Sequence, residues 1–162
     1  MASRLVPSAR CLAALGATVA LAACSGPSGT QDRPATAGLG DAPKVAPKVV
    51  TEAMFKSPSG NIGCYLDAKA VRCDIGKKSW NAPAKPADCE LDWGSGISVQ
   101  GADEATFTCA GDTVLGAETE LKYGDSLRAG DFLCSSDSKA MRCENVSSGH
   151  GFTLAIARYT LF

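Results

Sequence analysis

Residues 64–73 and 134–143 are one ten-residue unit written twice, seventy positions apart. The first reads Cys-Tyr-Leu-Asp-Ala-Lys-Ala-Val-Arg-Cys and the second Cys-Ser-Ser-Asp-Ser-Lys-Ala-Met-Arg-Cys, identical at six of ten positions. An acidic residue follows each, Asp74 and Glu144. The spacing predicts two β-hairpins, each closed by its own disulfide. The first has arms at 62–66 and 71–75 and a loop at 67–70. Whether that loop counts two or four residues, Cys64 stands opposite Cys73, a spacing that a disulfide can bridge. Alternation then places Tyr65 and Arg72 together on the other face. The second hairpin has arms at 131–135 and 140–145.

The compartment follows from the first 24 residues. Arg4 and Arg10 precede an apolar run at 11–22, and no acidic residue appears before Asp32. The run is shorter than the roughly 20 residues needed to span a bilayer. It ends in Leu21-Ala22-Ala23-Cys24, the pattern of a bacterial lipobox. A thiol is required there to carry a thioether-linked diacylglycerol, and small residues before it admit the signal peptidase. The expected organisation is a lipoprotein signal peptide at 1–23, a lipidated Cys24 opening a flexible linker at 24–53, and a disulfide-rich β domain at 54–162. The competing reading is an ordinary secretion signal in which Cys24 is incidental. Multiple acyl chains, palmitate among them, would hold the protein stably on the membrane, since each buried CH₂ is worth about 0.8 kcal/mol. Four of the eight prolines lie between 27 and 47. A segment that poor in apolar periodicity cannot repay its chain entropy, and its reach is about 30 Å.

Processing resolves the cysteine count. Of eight cysteines, Cys11 is discarded and Cys24 lipidated, leaving Cys64, Cys73, Cys89, Cys109, Cys134 and Cys143. An even number in a small exported domain predicts a disulfide frame. Six cysteines allow 15 connectivities. The repeat favours 64–73 and 134–143, leaving 89–109; the alternative joins the hairpins to one another. Each loop is worth about 2.5–3.5 kcal/mol in the chain-entropy model, against a total stability of about 5–15 kcal/mol. Zinc-type Cys-x₂₋₄-Cys spacing is absent, so neither a metal nor a cofactor is expected.

Between the hairpins the chain offers a loop at 76–90 and short strands at 97–100, 104–109, 114–115 and 118–123. After the second hairpin, 151–162 reads as a strand through Phe152, Leu154 and Ile156, with a short helix within 154–161 as the alternative. No segment carries a ten-residue amphipathic helix. Turn signals every 8–12 residues predict an all-β sandwich or barrel.

Several of these residues resemble a known family. Phe55-x-Ser57-Pro58-Ser59-Gly60-Asn61-Ile62-x-Cys64, Val71-Arg72-Cys73, Asp92-Trp93-Gly94, Cys109-x-Gly111-Asp112-Thr113, Tyr123-Gly124 and His150-Gly151-Phe152 are similar to small secreted proteins and lipoproteins of actinobacterial (high-GC Gram-positive) origin. The resemblance covers 55–162 and is most specific in the opening motif through Cys64. It implies export and a domain of unknown function, and it carries over no catalytic or ligand residues.

The candidate site residues each have a plain structural alternative. His150, the only histidine, is a general base or pH sensor, or a turn residue beside the last strand. Trp80 and Trp93 can stack on a glycan or peptide, or anchor loops. Arg72 and Arg142 recur beside cysteines as a shared binding feature or as surface pairs on each hairpin. Asp92 and Asp112 could pair for glycoside hydrolysis, although turn aspartates more often bond backbone. Ser57 and Ser59 lack a nucleophile-elbow context. The turn at 57–61 is the stretch best placed for a further role. Residues 56–85 are predominantly basic and 103–131 predominantly acidic.

Without Arg4 and Arg10 the chain keeps 14 basic residues against 17 acidic, a net charge near −3, which is no footprint for nucleic acid. The expected function is a non-enzymatic binding module on the outer face of the cytoplasmic membrane, with an envelope protein or a cell-wall glycan as partner. A cell-envelope hydrolase with carboxylate catalysis and a structural envelope protein are the alternatives.

Overall fold

The structure, a computed structural model, describes residues 45–162. The proposed signal segment, Cys24 and most of the linker lie outside the described residues. Eleven strands form two sheets, and the described residues contain no helix. One sheet holds β2 (Glu52–Lys56), β3 (Ile62–Asp67), β4 (Ala70–Ile75), β5 (Gly96–Gln100) and β6 (Thr106–Phe107), in that order. The other holds β1 (Lys48–Val49), then β7 (Ser126–Ala129), β8 (Phe132–Ser136), β9 (Met141–Asn145), β10 (Gly151–Leu154) and β11 (Tyr159–Leu161). Apart from β1, each sheet is a five-stranded antiparallel meander. The two pack face to face as a β-sandwich.

The registers show that the repeat extends far beyond the hairpins. Across the first sheet runs the row Phe55, Cys64, Cys73, Ile97, Phe107. Across the second runs Leu127, Cys134, Cys143, Phe152, Leu161. Gly96 stands opposite Asp74 just as Gly151 stands opposite Glu144. Thus Gly96-Ile97-Ser98-Val99 corresponds to Gly151-Phe152-Thr153-Leu154. The glycines are required on steric grounds: a Cβ at 96 would lie 2.5 Å from Asp74 Oδ1, and one at 151 would lie 2.6 Å from the Cys143 carbonyl oxygen.

Each half also lends its leading segment to the other. β1 precedes β2 in the chain but pairs in parallel with β7, and Val50 N–H donates to Arg128 O at 2.9 Å. The segment leading into β7 runs parallel beside β2: Lys56 N–H donates to Thr119 O (2.8 Å) and Leu121 N–H to Lys56 O (2.9 Å). The interdigitating contacts are reciprocal as well. The β5–β6 turn meets the β9–β10 turn through Asn145 Nδ2–Gly101 O, and the β4–β5 loop meets the β10–β11 turn through Trp80 Nε1–Ala155 O. The sandwich therefore has a pseudo-two-fold axis passing between the two hairpin disulfides.

All three cystines pair within neighbouring cysteines: 64–73, 89–109 and 134–143. The two hairpin cystines meet in the core, with Cys73 Sγ 3.6 Å from Cys143 Sγ. All four hairpin cysteines are wholly buried, beside Phe55, Phe132 and Phe152.

Some local expectations differ from the structure. Pairing begins at Lys48, inside the segment read as linker through 53, because backbone bonds to β7 hold it without apolar periodicity. The stretch at 118–123 makes only an isolated bridge at Glu120, and the strand lies later, at 126–129. Residues 114–115 form no strand. The strand read at 104–109 is confined to 106–107. The last twelve residues are a hairpin, β10–β11, whose turn is closed by Ala155 N–H to Arg158 O at 3.0 Å.

Candidate functional site

A cleft of about 320 Å³ lies where the two halves differ. One wall is the β2–β3 turn, residues 57–61. Its backbone is fixed from within: Gly60 N–H donates to Ser57 O (2.8 Å), Ile62 N–H to Ser57 Oγ (3.2 Å) and Ser57 N–H to Ile62 O (2.8 Å). Gly60 takes φ +70°, a conformation that favours glycine,. Asn61 clips the turn to the end of β4, its Oδ1 accepting from Lys77 N–H (2.7 Å) and its Nδ2 donating to Lys77 O (2.9 Å). The opposite wall is the β8–β9 loop, in which Asp137 Oδ1 accepts Lys139 N–H at 2.8 Å. The exposed side chains of Tyr123 and Ile156 flank it.

The floor is Ser136. It faces inward with Cys134, two residues before it on β8, and stands opposite Met141. It is 3% exposed, and its Oγ, like that of Ser126 on β7 beside a cleft of about 310 Å³, is buried with no hydrogen-bond partner among the described residues. Buried side-chain polar groups are nearly always bonded, so an orphan calls for an explanation. The pseudo-symmetry makes this one specific. The counterpart of Ser136 is Leu66, a fully buried core residue. The counterpart of the cleft-lining Ile62 is Phe132, also core. The counterpart of the five-residue 57–61 turn is the two-residue turn at 130–131, and a Cβ at Gly130 would lie 3.2 Å from the Ala68 side chain. One of the two equivalent places thus closes with Leu66 and Phe132 under the tight 130–131 turn, and the other, built from Ile62, Ser136 and the longer 57–61 turn, leaves a cleft.

Ser57 and Ser59 line this cleft, whereas Trp80, Trp93, Arg72, Arg142 and His150 lie elsewhere. Trp80 and Trp93 are loop anchors. Trp80 Nε1 donates to Ala155 O (2.8 Å) and its ring meets Tyr159 and Phe107; Trp93 Nε1 donates to Pro83 O (3.0 Å) and its ring meets Phe107. These rings close the edge of the sandwich where β6 and β11 end the meanders. Lys78 sits over Trp80, 4.7 Å from the ring centroid, and burial lowers its pKa. His150 is half-buried in the β9–β10 turn, with Nδ1 2.9 Å from Ala102 O.

Arg72 and Arg142 form matched networks on the outer sheet faces. Arg72 makes two bonds of 2.9 Å to Asp74 and one of 2.8 Å to Asp112 Oδ1. Asp74 also accepts from Thr113 Oγ1 (2.9 Å) and Val114 N–H (3.1 Å), which straps residues 112–114 onto the sheet. Burial opposes the Arg72 charge, but the bonds to Asp74 and Asp112 outweigh it and raise its pKa. The hydrogen bond from Arg72 lowers that of Asp112. This pair also joins the basic 56–85 segment to the acidic 103–131 segment. Arg142 pairs with Glu144 and lies under the Phe162 ring, 4.1 Å from its centroid.

Arg72, Trp93, Asp92 and Asp112 line a second, smaller cleft of about 240 Å³, where the Asp74 and Asp112 carboxylates are committed to Arg72. Sequence reasoning singled out the 57–61 turn but missed Ser136, Tyr123 and Ile156. The available signal was the aligned repeat, which sets Ser136 against Leu66.

No helix among the described residues is long and apolar enough to cross a membrane. No curated protein and no solved structure matches the chain. Residues 33–162 match the model of a family of unknown function (DUF6636), and the chain belongs to that family.

Proposed function

We propose that the chain is a lipid-anchored binding module of the cell envelope, of actinobacterial type, which holds its partner in the cleft above Ser136. The signal-and-lipobox pattern at 1–24 supports export and anchoring at Cys24. Three cystines fit an oxidising, extracytoplasmic compartment,. The single observation that carries the binding role is the buried, unpartnered Ser136 Oγ beneath an open cleft, at a place where the other half carries leucine. The wall opposite it is the 57–61 turn, the most specific part of the Phe-x-Ser-Pro-Ser-Gly-Asn-Ile-x-Cys motif. Binding is favoured over hydrolysis because, among the described residues, Asp137 is the one carboxylate lining the cleft, and the usual glycoside hydrolysis uses a pair,.

Site-specific photo-crosslinking in intact envelopes tests the proposal. A benzophenone amino acid replaces Tyr123 at the cleft or Val146 in the β9–β10 turn, which lies at the other end of β9. A discrete adduct from position 123 and none from 146 is expected, in the membrane fraction and displaced to the soluble fraction by Cys24→Ala. No adduct from 123, or the same adducts from both positions, would remove the binding role.

A further inference from the structure

The chemistry of the cleft narrows the class of its occupant, on the premise that it is a binding site at all. Among the described residues its charged side chains are one carboxylate, Asp137, and one ammonium, Lys139. The Asp137 carboxylate already accepts a backbone N–H. The site therefore presents no net charge to a ligand. Its polar surface is hydroxyl-rich: Ser57, Ser59, Ser136 and Ser138. Hydroxyls donate and accept, and they match a ligand whose own groups do both. Ser57 and Ser59 share a bond of 3.0 Å, whereas Ser136 Oγ keeps its whole capacity.

A peptide is a poorer fit. Strand addition needs a free sheet edge, but β8 is paired on both sides, by β7 and β9, and β9 by β8 and β10. The loop between β8 and β9 is closed by Asp137 N–H to Ala140 O at 3.0 Å. Recognition must then come from side chains. The volume lies at the lower end of the roughly 300–1,000 Å³ of small-ligand pockets, so it suits one compact unit and not a protein surface. Tyr123, 48% exposed, and Ile156, 54% exposed, offer an apolar flank for the C–H face of a ring,.

We infer that the cleft takes an uncharged saccharide unit, hydrogen-bonded by Ser136 on its floor and flanked by Tyr123. The same chemistry is offered by a short free glycan and by a residue of a wall polymer. Calorimetric titration of the full-length chain in detergent, with uncharged tetrasaccharides of N-acetylglucosamine, glucose and arabinose, tests the first source. Co-sedimentation with purified cell wall tests the second. Binding to at least one of these is expected. Ser136→Ala should weaken it about three- to tenfold, the worth of one hydrogen bond, and Tyr123→Ala should also weaken it. The Ser136→Ala chain should keep or raise its unfolding midpoint, since the hydroxyl it loses is buried and unpaired,, which separates lost recognition from lost fold. Absence of binding to every soluble probe and to wall overturns the saccharide assignment, as does binding that neither substitution changes. If position 123 still crosslinks to an envelope protein while all saccharides fail, the binding module stands and its saccharide ligand falls. If both assays fail, both fall.

Discussion

Deleting cystines one at a time separates two contributions that rank them in opposite order. Loop entropy alone favours Cys89–Cys109: a separation of 20 residues is worth about 3.3 kcal/mol, against about 2.6 kcal/mol for the 9 residues of Cys64–Cys73,. Core packing favours Cys64–Cys73. Both of its cysteines are wholly buried, and Cys73 Sγ touches the other hairpin cystine at 3.6 Å, whereas Cys109 is exposed. Removing a buried group of one heavy atom costs about 0.5–1.5 kcal/mol where the core cannot collapse. Two sulfurs then add about 1–3 kcal/mol. The Cys64→Ala/Cys73→Ala chain should lose about 3.6–5.6 kcal/mol in all, and Cys89→Ala/Cys109→Ala about 3.3 kcal/mol from its loop. Urea unfolding followed by Trp80 and Trp93 fluorescence, in a Cys24→Ala background, measures both. If the Cys89–Cys109 deletion is the more damaging, chain entropy governs and the stacked cystines contribute nothing by packing.

Three other outcomes follow from single contacts. Gly96→Ala should destabilise the domain by about 1–3 kcal/mol, because the new Cβ meets an Asp74 carboxylate held by Arg72, Thr113 and Val114; urea midpoints compare it with Gly116→Ala, whose new Cβ meets nothing within 4 Å and whose backbone is not left-handed. Asp74→Asn should lower the same midpoint and increase hydrogen exchange at residues 112–115, since it strips the strap of its charged anchor. Acid should weaken the fold in a defined window. The Asp67 pKa is lowered chiefly by the Lys69 N–H, and that of Asp112 by Arg72. Carboxylates with depressed folded-state pKa values stabilise above their ordinary pKa and lose that contribution as pH falls through the depressed values. Urea midpoints should therefore be flat from neutrality to about pH 5 and fall below about pH 4. The double variant Asp67→Asn/Asp112→Asn should flatten that acid limb.

The cystine frame was legible because the repeated decapeptide kept its spacing. Directly opposed cysteines in a hairpin leave little freedom in pairing. The rest of the duplication was not, because the offset between halves drifts from 70 residues at the cysteines to 55 at Gly96 and Gly151, as a long β4–β5 loop faces a short β9–β10 turn. β1 escapes pattern reading because parallel backbone bonds to a distant strand define it, not side-chain alternation; the segment at 118–123 reads as a strand but makes only a single parallel bridge. The tryptophans drew attention as ligand-stacking rings, yet they are held by indole N–H bonds to loop carbonyls. Ser136 is the reverse case. Its sequence context is an ordinary polar hairpin, and only the burial of Leu66 at the equivalent position shows that a core place has been left polar.

Ser136→Leu tests that point most directly, because it copies into one half the residue that the other half already uses. If Ser136 is kept polar for a ligand, the substitution should leave the fold as stable or raise its unfolding free energy by about 1–3 kcal/mol, the cost of an unpaired buried hydroxyl, while abolishing the crosslink from position 123. A variant that unfolds more readily yet still crosslinks would show that Ser136 serves the packing of the sandwich and that the cleft above it is not the binding site.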